Sequence, residues 1–227
     1  KIMSWFTNTF SSSLGKKLIM SFTGLFLILF LLGHVSGNTL LFKDDGGLAF
    51  NIYAKFMTTN PAVKLLSYLT YISVLGHVVY SIMLTVANKK ARPVGYAVST
   101  KDSKSAWNSR SMGALGLIIL IFLVMHPKGF WYEMHWGEIN NDSNGNRDLY
   151  GVVYAAYSEW WYVAIYVVSM IILSFHLSHG FNSAFQTLGL SHKKYTPFIK
   201  FLGKAFSIIV PLLFAAMPIY MYLKNLG

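Results

Sequence analysis

The chain has no cysteine among its 227 residues. That excludes disulfides, thiolate metal ligands, iron–sulfur clusters and covalent attachment of a prosthetic group through C-x-x-C-H. Acid is scarce too: eight Asp and Glu stand against nineteen Lys and Arg. Charged residues make up 12% of the chain, about half the share of an ordinary soluble domain, which argues against a water-soluble fold. The net charge of +11 invites a nucleic-acid reading. The basic residues, however, fall in short stretches between long apolar runs, where they act as topology signals, so no nucleic acid partner is expected. No internal repeat of the kind transporters carry is visible. The chain starts at Lys1 rather than methionine, so a few residues are expected ahead of it. The first apolar run is too long for the core of a cleavable signal, and none is expected.

What is present is apolar length. A helix crossing a bilayer needs about 20 predominantly apolar residues. Five stretches qualify, near 18–42, 62–87, 111–126, 160–181 and 201–223. The third looks short, stopped by Pro127, with Trp107 to Arg110 available to extend it. Pro211 and Pro218 are expected to kink the fifth. The fold class is therefore all-α, with residues 1–227 forming one membrane domain of five transmembrane helices. With the N-terminus inside, the inner segments carry thirteen Lys and Arg and one acid, Asp102, while the outer segments carry six and seven acids. This asymmetry predicts an inside N-terminus and an outside C-terminus. The longest outer stretch, Pro127 to Glu159, is rich in Trp, Tyr, Asn and Gly and is expected to cap the bundle mouth.

Four of the seven histidines, His34, His77, His126 and His176, fall one each in four apolar runs, where a polar ring is expensive. Helical rise sorts them by depth. His34 is seventeen residues past Lys17 and His126 sixteen past Arg110, so both lie ~25 Å from the inner surface. His77 is twelve residues before Lys89, ~18 Å from that surface, and His176 is seventeen residues past Glu159, ~25 Å inward from the outer side. An outer pair, His34 with His126, and an inner pair, His77 with His176, follow. A lone membrane histidine is explained as well by an interhelical hydrogen bond. Four on four helices at two matched depths point instead to two haem groups, each held between two imidazoles and carrying electrons.

Gly24 and Gly116 each stand ten residues before an outer histidine, which puts them ~15 Å deeper, near the inner pair. Without side chains they leave room for a flat macrocycle, although small residues also mark ordinary helix crossings. Gly33 and Gly76 immediately precede His34 and His77, and Gly180 lies one turn after His176. His179, one turn from His176, is the rival fourth ligand; greater depth and the spacing to Gly180 favour His176. His135 and His192 fall in loops and are read as solvated or partner-facing.

These motifs resemble a known family. Ser21-Phe22-Thr23-Gly24-Leu25-Phe26-Leu27 followed by Leu32-Gly33-His34, then Gly76-His77, Leu123-Val124-Met125-His126 and His176-Leu177-Ser178-His179-Gly180, are similar to the five-helix, two-haem cytochrome b anchor of succinate:menaquinone oxidoreductase and quinol:fumarate reductase. Ser11-Ser12-Ser13-Leu14-Gly15-Lys16-Lys17 resembles the Bacteroidetes-type members. In that family the fourth ligand precedes a glycine by four residues, which selects His176.

The resemblance implies two haem b groups, a bacterial cytoplasmic (inner) membrane, and electron transfer within an enzyme whose succinate site lies on another chain. A flavoprotein subunit would oxidise succinate. An iron–sulfur subunit, docked on the basic inner face (Lys16, Lys17, the Lys89 to Arg110 stretch and the Lys193 to Lys204 stretch), would pass electrons to the inner haem, then the outer haem, then menaquinone. The resemblance also places Ser21 near a haem propionate, with Arg110 as a second partner. There are departures. Ser174 stands where the fumarate-reducing branch can carry a glutamate, no span holds an Asp or Glu in its interior, and no acid between Tyr53 and Asn60 matches the quinone acid of that branch. Succinate oxidation is favoured over fumarate reduction, and the quinone site is unassigned. Anchors of hydrogenases or nitrate reductases place two ligands on one helix, unlike the pattern here.

Overall fold

The computed structural model describes residues 8, 10–91 and 111–227. Those residues are almost entirely helical, with one isolated β-bridge between Asn141 and Arg147. The long helices are α1 (Ser13–Asn38), α3 (Pro61–Lys90), α4 (Met112–His126), α7 (Trp160–Thr187) and α8 (Thr196–Leu226); the short ones are α2 (Leu48–Thr59), α5 (Glu133–Trp136) and α6 (Leu149–Tyr157). Local chemistry sets the starts. Ser12 accepts from the Gly15 amide at the head of α1. Asn60 accepts from the Ala62 and Val63 amides ahead of α3, whose first residue is Pro61, a position where a missing N–H costs nothing. Asp148 caps α6 through the Gly151 amide.

Five helical stretches are long and apolar enough to cross a membrane: Ser13–Phe42, Pro61–Lys90, Met112–Trp136, Trp160–Thr187 and Thr196–Leu226. This is a multi-pass membrane protein. Its outer surface says the same: Leu65, Ile72 and Leu75 of α3 are each more than 60% exposed, and Thr70 is the one buried residue of that helix. Such a face is tolerable against lipid tails and costly in water. The helix α7 is central, packing on α8, α1 and α4, while α3 packs mainly on α1.

The third span corrects the expectation that Pro127 ends it. Residues Pro127–Tyr132 form a wide π-type turn, and the helix resumes through Trp136. Proline lacks an N–H and its ring collides with the carbonyl four residues back; the wider turn accommodates both. Likewise α8 runs on through Pro211 and Pro218, both buried. The proposed extension from Trp107 to Arg110 lies outside the described residues. The helices α2 and α6, which hydropathy does not announce, fold over one end of the bundle.

That end is the dry core. Val35, Leu41, Phe50, Tyr150, Val153, Tyr157, Val163, Tyr166, Val210, Met217 and Met221 form one buried cluster. Asn51, 1% exposed, ties it together: it accepts from the Tyr150 amide at 2.8 Å and donates to Asp148 Oδ1 at 2.9 Å and Asp142 Oδ2 at 3.3 Å. Gly37 leaves the space Tyr53 fills; a Cβ there would fall inside the tyrosine ring. Lys224, at the end of α8, meets Asp44, just past α1, at 2.9 Å. The C-terminal ends of α1 and α8 therefore share this capped end.

Candidate functional site

The bundle brings the four membrane histidines together in the pairs that depth implied. His34 (α1) faces His126 (α4), ring centroids 5.7 Å apart with planes at 86°. His77 (α3) faces His176 (α7) at 6.3 Å and 67°. The first pair sits against the capped end, the second deeper in the bundle. Gly24 measures the gap. A Cβ built on it would lie 3.3 Å from His77 Cε1, and Gly24 is ten residues from His34 on the same helix, so the two levels are ~15 Å apart. Gly116, ten residues before His126, likewise borders His176, whose Cε1 would lie 3.9 Å from a Cβ at that position.

The spacing suits a metal between opposed imidazoles. Metal–nitrogen bonds of about 2 Å, with each ring centroid about 1 Å behind its nitrogen, put the two centroids about 6 Å apart. Both pairs lie close to that. Among the described residues no three His, Cys, Asp or Glu side chains converge as a chelating cluster. An all-protein metal site is thus not what these pairs resemble, whereas a porphyrin brings its own four nitrogens and asks two axial ligands of the protein.

The second ring nitrogens are partnered unequally. His126 Nδ1 is 3.1 Å from the Tyr166 hydroxyl. His77 Nδ1 is 3.2 Å from Thr23 Oγ1, whose own proton goes to the Ile19 carbonyl at 2.8 Å. That threonine oxygen can then only accept from His77 Nδ1–H, which leaves Nε2 with its lone pair free for a metal. His34 Nδ1 lies 3.4 Å from Asn38 Nδ2, a long contact beside the 2.7 Å bond the same amide gives the His34 carbonyl. His176 Nδ1 is buried without a hydrogen-bond partner among the described residues. Around the capped pair, Phe30 stacks on His34 at 5.2 Å and Phe122 on His126 at 5.4 Å, with Phe214 and Phe130 at their edges.

The remaining candidates sort out. His179 turns to Ser183 Oγ, 3.0 Å from its Nε2, so His176 alone of the two faces His77. His135 lies on Trp131 and His192 on its own turn. Ser21 is buried one turn from Gly24, with its hydroxyl on the Lys17 carbonyl at 2.9 Å. Arg110 lies outside the described residues. Sequence reasoning missed Tyr166 and Thr23. Thr23 stands beside Gly24 and was reachable from helical spacing; Tyr166, forty residues from His126, was not. No family model, no curated protein and no solved structure matches the chain.

Proposed function

We propose that this chain is the dihaem cytochrome b anchor of a succinate:menaquinone oxidoreductase in a bacterial cytoplasmic membrane. The supporting observation is the cross-pairing of four histidines from four helices at two levels, 5.7 and 6.3 Å between rings. His34 and His126 would hold the outer haem b, His77 and His176 the inner, with Gly24 and Gly116 clearing space at the inner level. The chemistry two such groups supply when bound is one-electron transfer, between an iron–sulfur subunit and menaquinone.

The protein's own part is to hold, insulate and dock. Phe30, Phe122, Phe130 and Phe214 pack their rings around the outer pair. The excess of Lys and Arg on the uncapped side supports a cytoplasmic position for it, with the N-terminus inside and the C-terminus outside. Lys16, Lys17, Lys89, Lys90, Lys193, Lys194, Lys200 and Lys204 then form the face an iron–sulfur subunit and its flavoprotein partner would meet. Ser21, near that face and beside Gly24, is the residue best placed for a propionate. A reduced-minus-oxidised visible spectrum of the chain purified from its membrane tests the reading: two b haems per chain, with a flavoprotein and an iron–sulfur protein co-purifying. A colourless, folded protein would end it.

A further inference from the structure

Among the described residues, Tyr166 is the one side chain that reaches an outer-pair ring nitrogen through a hydroxyl. It is 3% exposed, projects from α7 and meets His126 Nδ1, on α4, at 3.1 Å. Its oxygen is also 3.4 Å from the Tyr162 hydroxyl. The ring is held by Phe122 at 5.0 Å, Tyr157 at 5.2 Å and Phe130 at 6.1 Å. A buried phenol fixed on so many sides has little rotational freedom, so its oxygen is a fixed point for the imidazole.

We propose that Tyr166 is a positioning residue for His126: its oxygen accepts the Nδ1–H, selects the tautomer that presents Nε2 to the metal, and strengthens that nitrogen as a ligand. The idea rests on the dihaem reading. An imidazole whose N–H is given to an acceptor is a more basic ligand and favours the oxidised metal. With its own proton directed to the Tyr162 hydroxyl, Tyr166 is a better acceptor than an isolated phenol. Thr23 does the same for His77 on the inner level, with a hydroxyl committed to the Ile19 carbonyl. His176 has no such partner among the described residues.

The test uses the full chain in its complex. Potentiometric titration followed in the visible, with low-temperature EPR of the oxidised protein, is run on wild type, Y166F, Y162F and T23V. The expected result is two haems in Y166F with one midpoint potential raised and the other unmoved. Y162F raises the same potential by less. T23V raises the other. If Y166F does not accumulate as folded protein, the Y162F and T23V pair carries the same contrast. Two bound haems in Y166F with both potentials and both EPR signals at wild-type positions would overturn the proposal and leave the dihaem reading standing. Both potentials moving together in each variant would overturn it too, by showing general loosening. A wild type without haem would sink the dihaem reading itself.

Discussion

The two histidine levels are built differently. The outer pair is walled by aromatic rings and roofed by α2 and α6, and one of its imidazoles is tethered to a buried tyrosine. The inner pair has glycines beside its rings, a threonine on one imidazole and, among the described residues, no hydrogen-bond partner on Nδ1 of the other. One level is made by packing and the other by absence. A site made by packing tolerates a small loss at any one contact, because many neighbours share the restraint. A site made by absence is vulnerable to anything added.

On the dihaem reading the largest effect should come from the four paired histidines. Replacing His34 or His126 by Ala should remove one haem of two, and replacing His77 or His176 should remove the other, as read by pyridine haemochrome per mole of protein. The levels are ~15 Å apart along α1, too far for one pair to substitute for the other. Loss of both haems from every single variant would mean that the levels are not independent. Retention of both in His176→Ala, with loss in His179→Ala, would reassign the fourth ligand.

Added volume comes next. The Gly24 position has 3.3 Å to His77 Cε1, tighter than ordinary contact, whereas Gly116 has 3.9 Å to His176 Cε1, which is ordinary contact. Gly24→Val should therefore displace the His77 ring and abolish the inner haem, while Gly116→Ala should keep both haems with at most a shifted inner spectrum. The outer haem should survive in both. Equal damage from the two substitutions would show that the glycines serve helix crossing alone.

Ring orientation gives a subtler contrast. Opposed imidazole planes near perpendicular leave two iron d orbitals almost degenerate, which spreads the low-spin ferric EPR signal toward large g values. At 86° the outer pair should give the more anisotropic signal, and at 67° the inner pair the less. The His77→Ala variant, which keeps only the outer haem, assigns the two signals.

Much of this was legible in the sequence because membrane burial has few solutions. Apolar length exposed five spans, and a fixed rise per residue sorted four histidines into the pairs the fold brings face to face. Gly24 and Gly116 were readable for the same reason: ten residues on a helix is a depth. Partnership across helices was not. Tyr166 reaches His126 because α4 and α7 pack with a particular rotation, and hydropathy is blind to rotation when a helix is apolar all round. Pro127 misled because a proline stops a helix only if the turn around it stays narrow; here it widens. The cap was foreseen as aromatic, but its polar knot was not, since Asn51 lies ninety-one residues or more from every partner its side chain binds.

That knot allows the outer level to be loosened from above. Asn51→Ala would remove a buried amide with its three bonds, two of them to carboxylates, leave the Tyr150 N–H without its acceptor, and should cost about 3 kcal/mol of cap stability. The gentler form of the same perturbation is acid. Desolvation pushes the Asp142 carboxyl up, but hydrogen bonds from the Asn146 and Asn144 amides and from the Asn146 and Asn51 side chains outweigh it, and the group sits below its ordinary value of 3.8. Asp44 is lowered as well, by the hydrogen bond and charge of Lys224. A carboxyl with a depressed folded value contributes stability that is fully present above its unfolded value and fades as pH falls through the folded one. As pH falls from just above 3.8 through the lower folded values the cap should therefore loosen while the membrane bundle stays helical. Because Tyr157 belongs to the cap core and its ring packs on Tyr166 at 5.2 Å, on the dihaem reading the spectrum of the outer haem should broaden first, with the inner unchanged. Asp142→Asn, which keeps one of the two acceptor oxygens and removes the titration, should lower the pH at which that broadening begins. A simultaneous change at both levels would show instead that acid reaches the whole bundle, and that the capped end gives the outer pair no surroundings of its own.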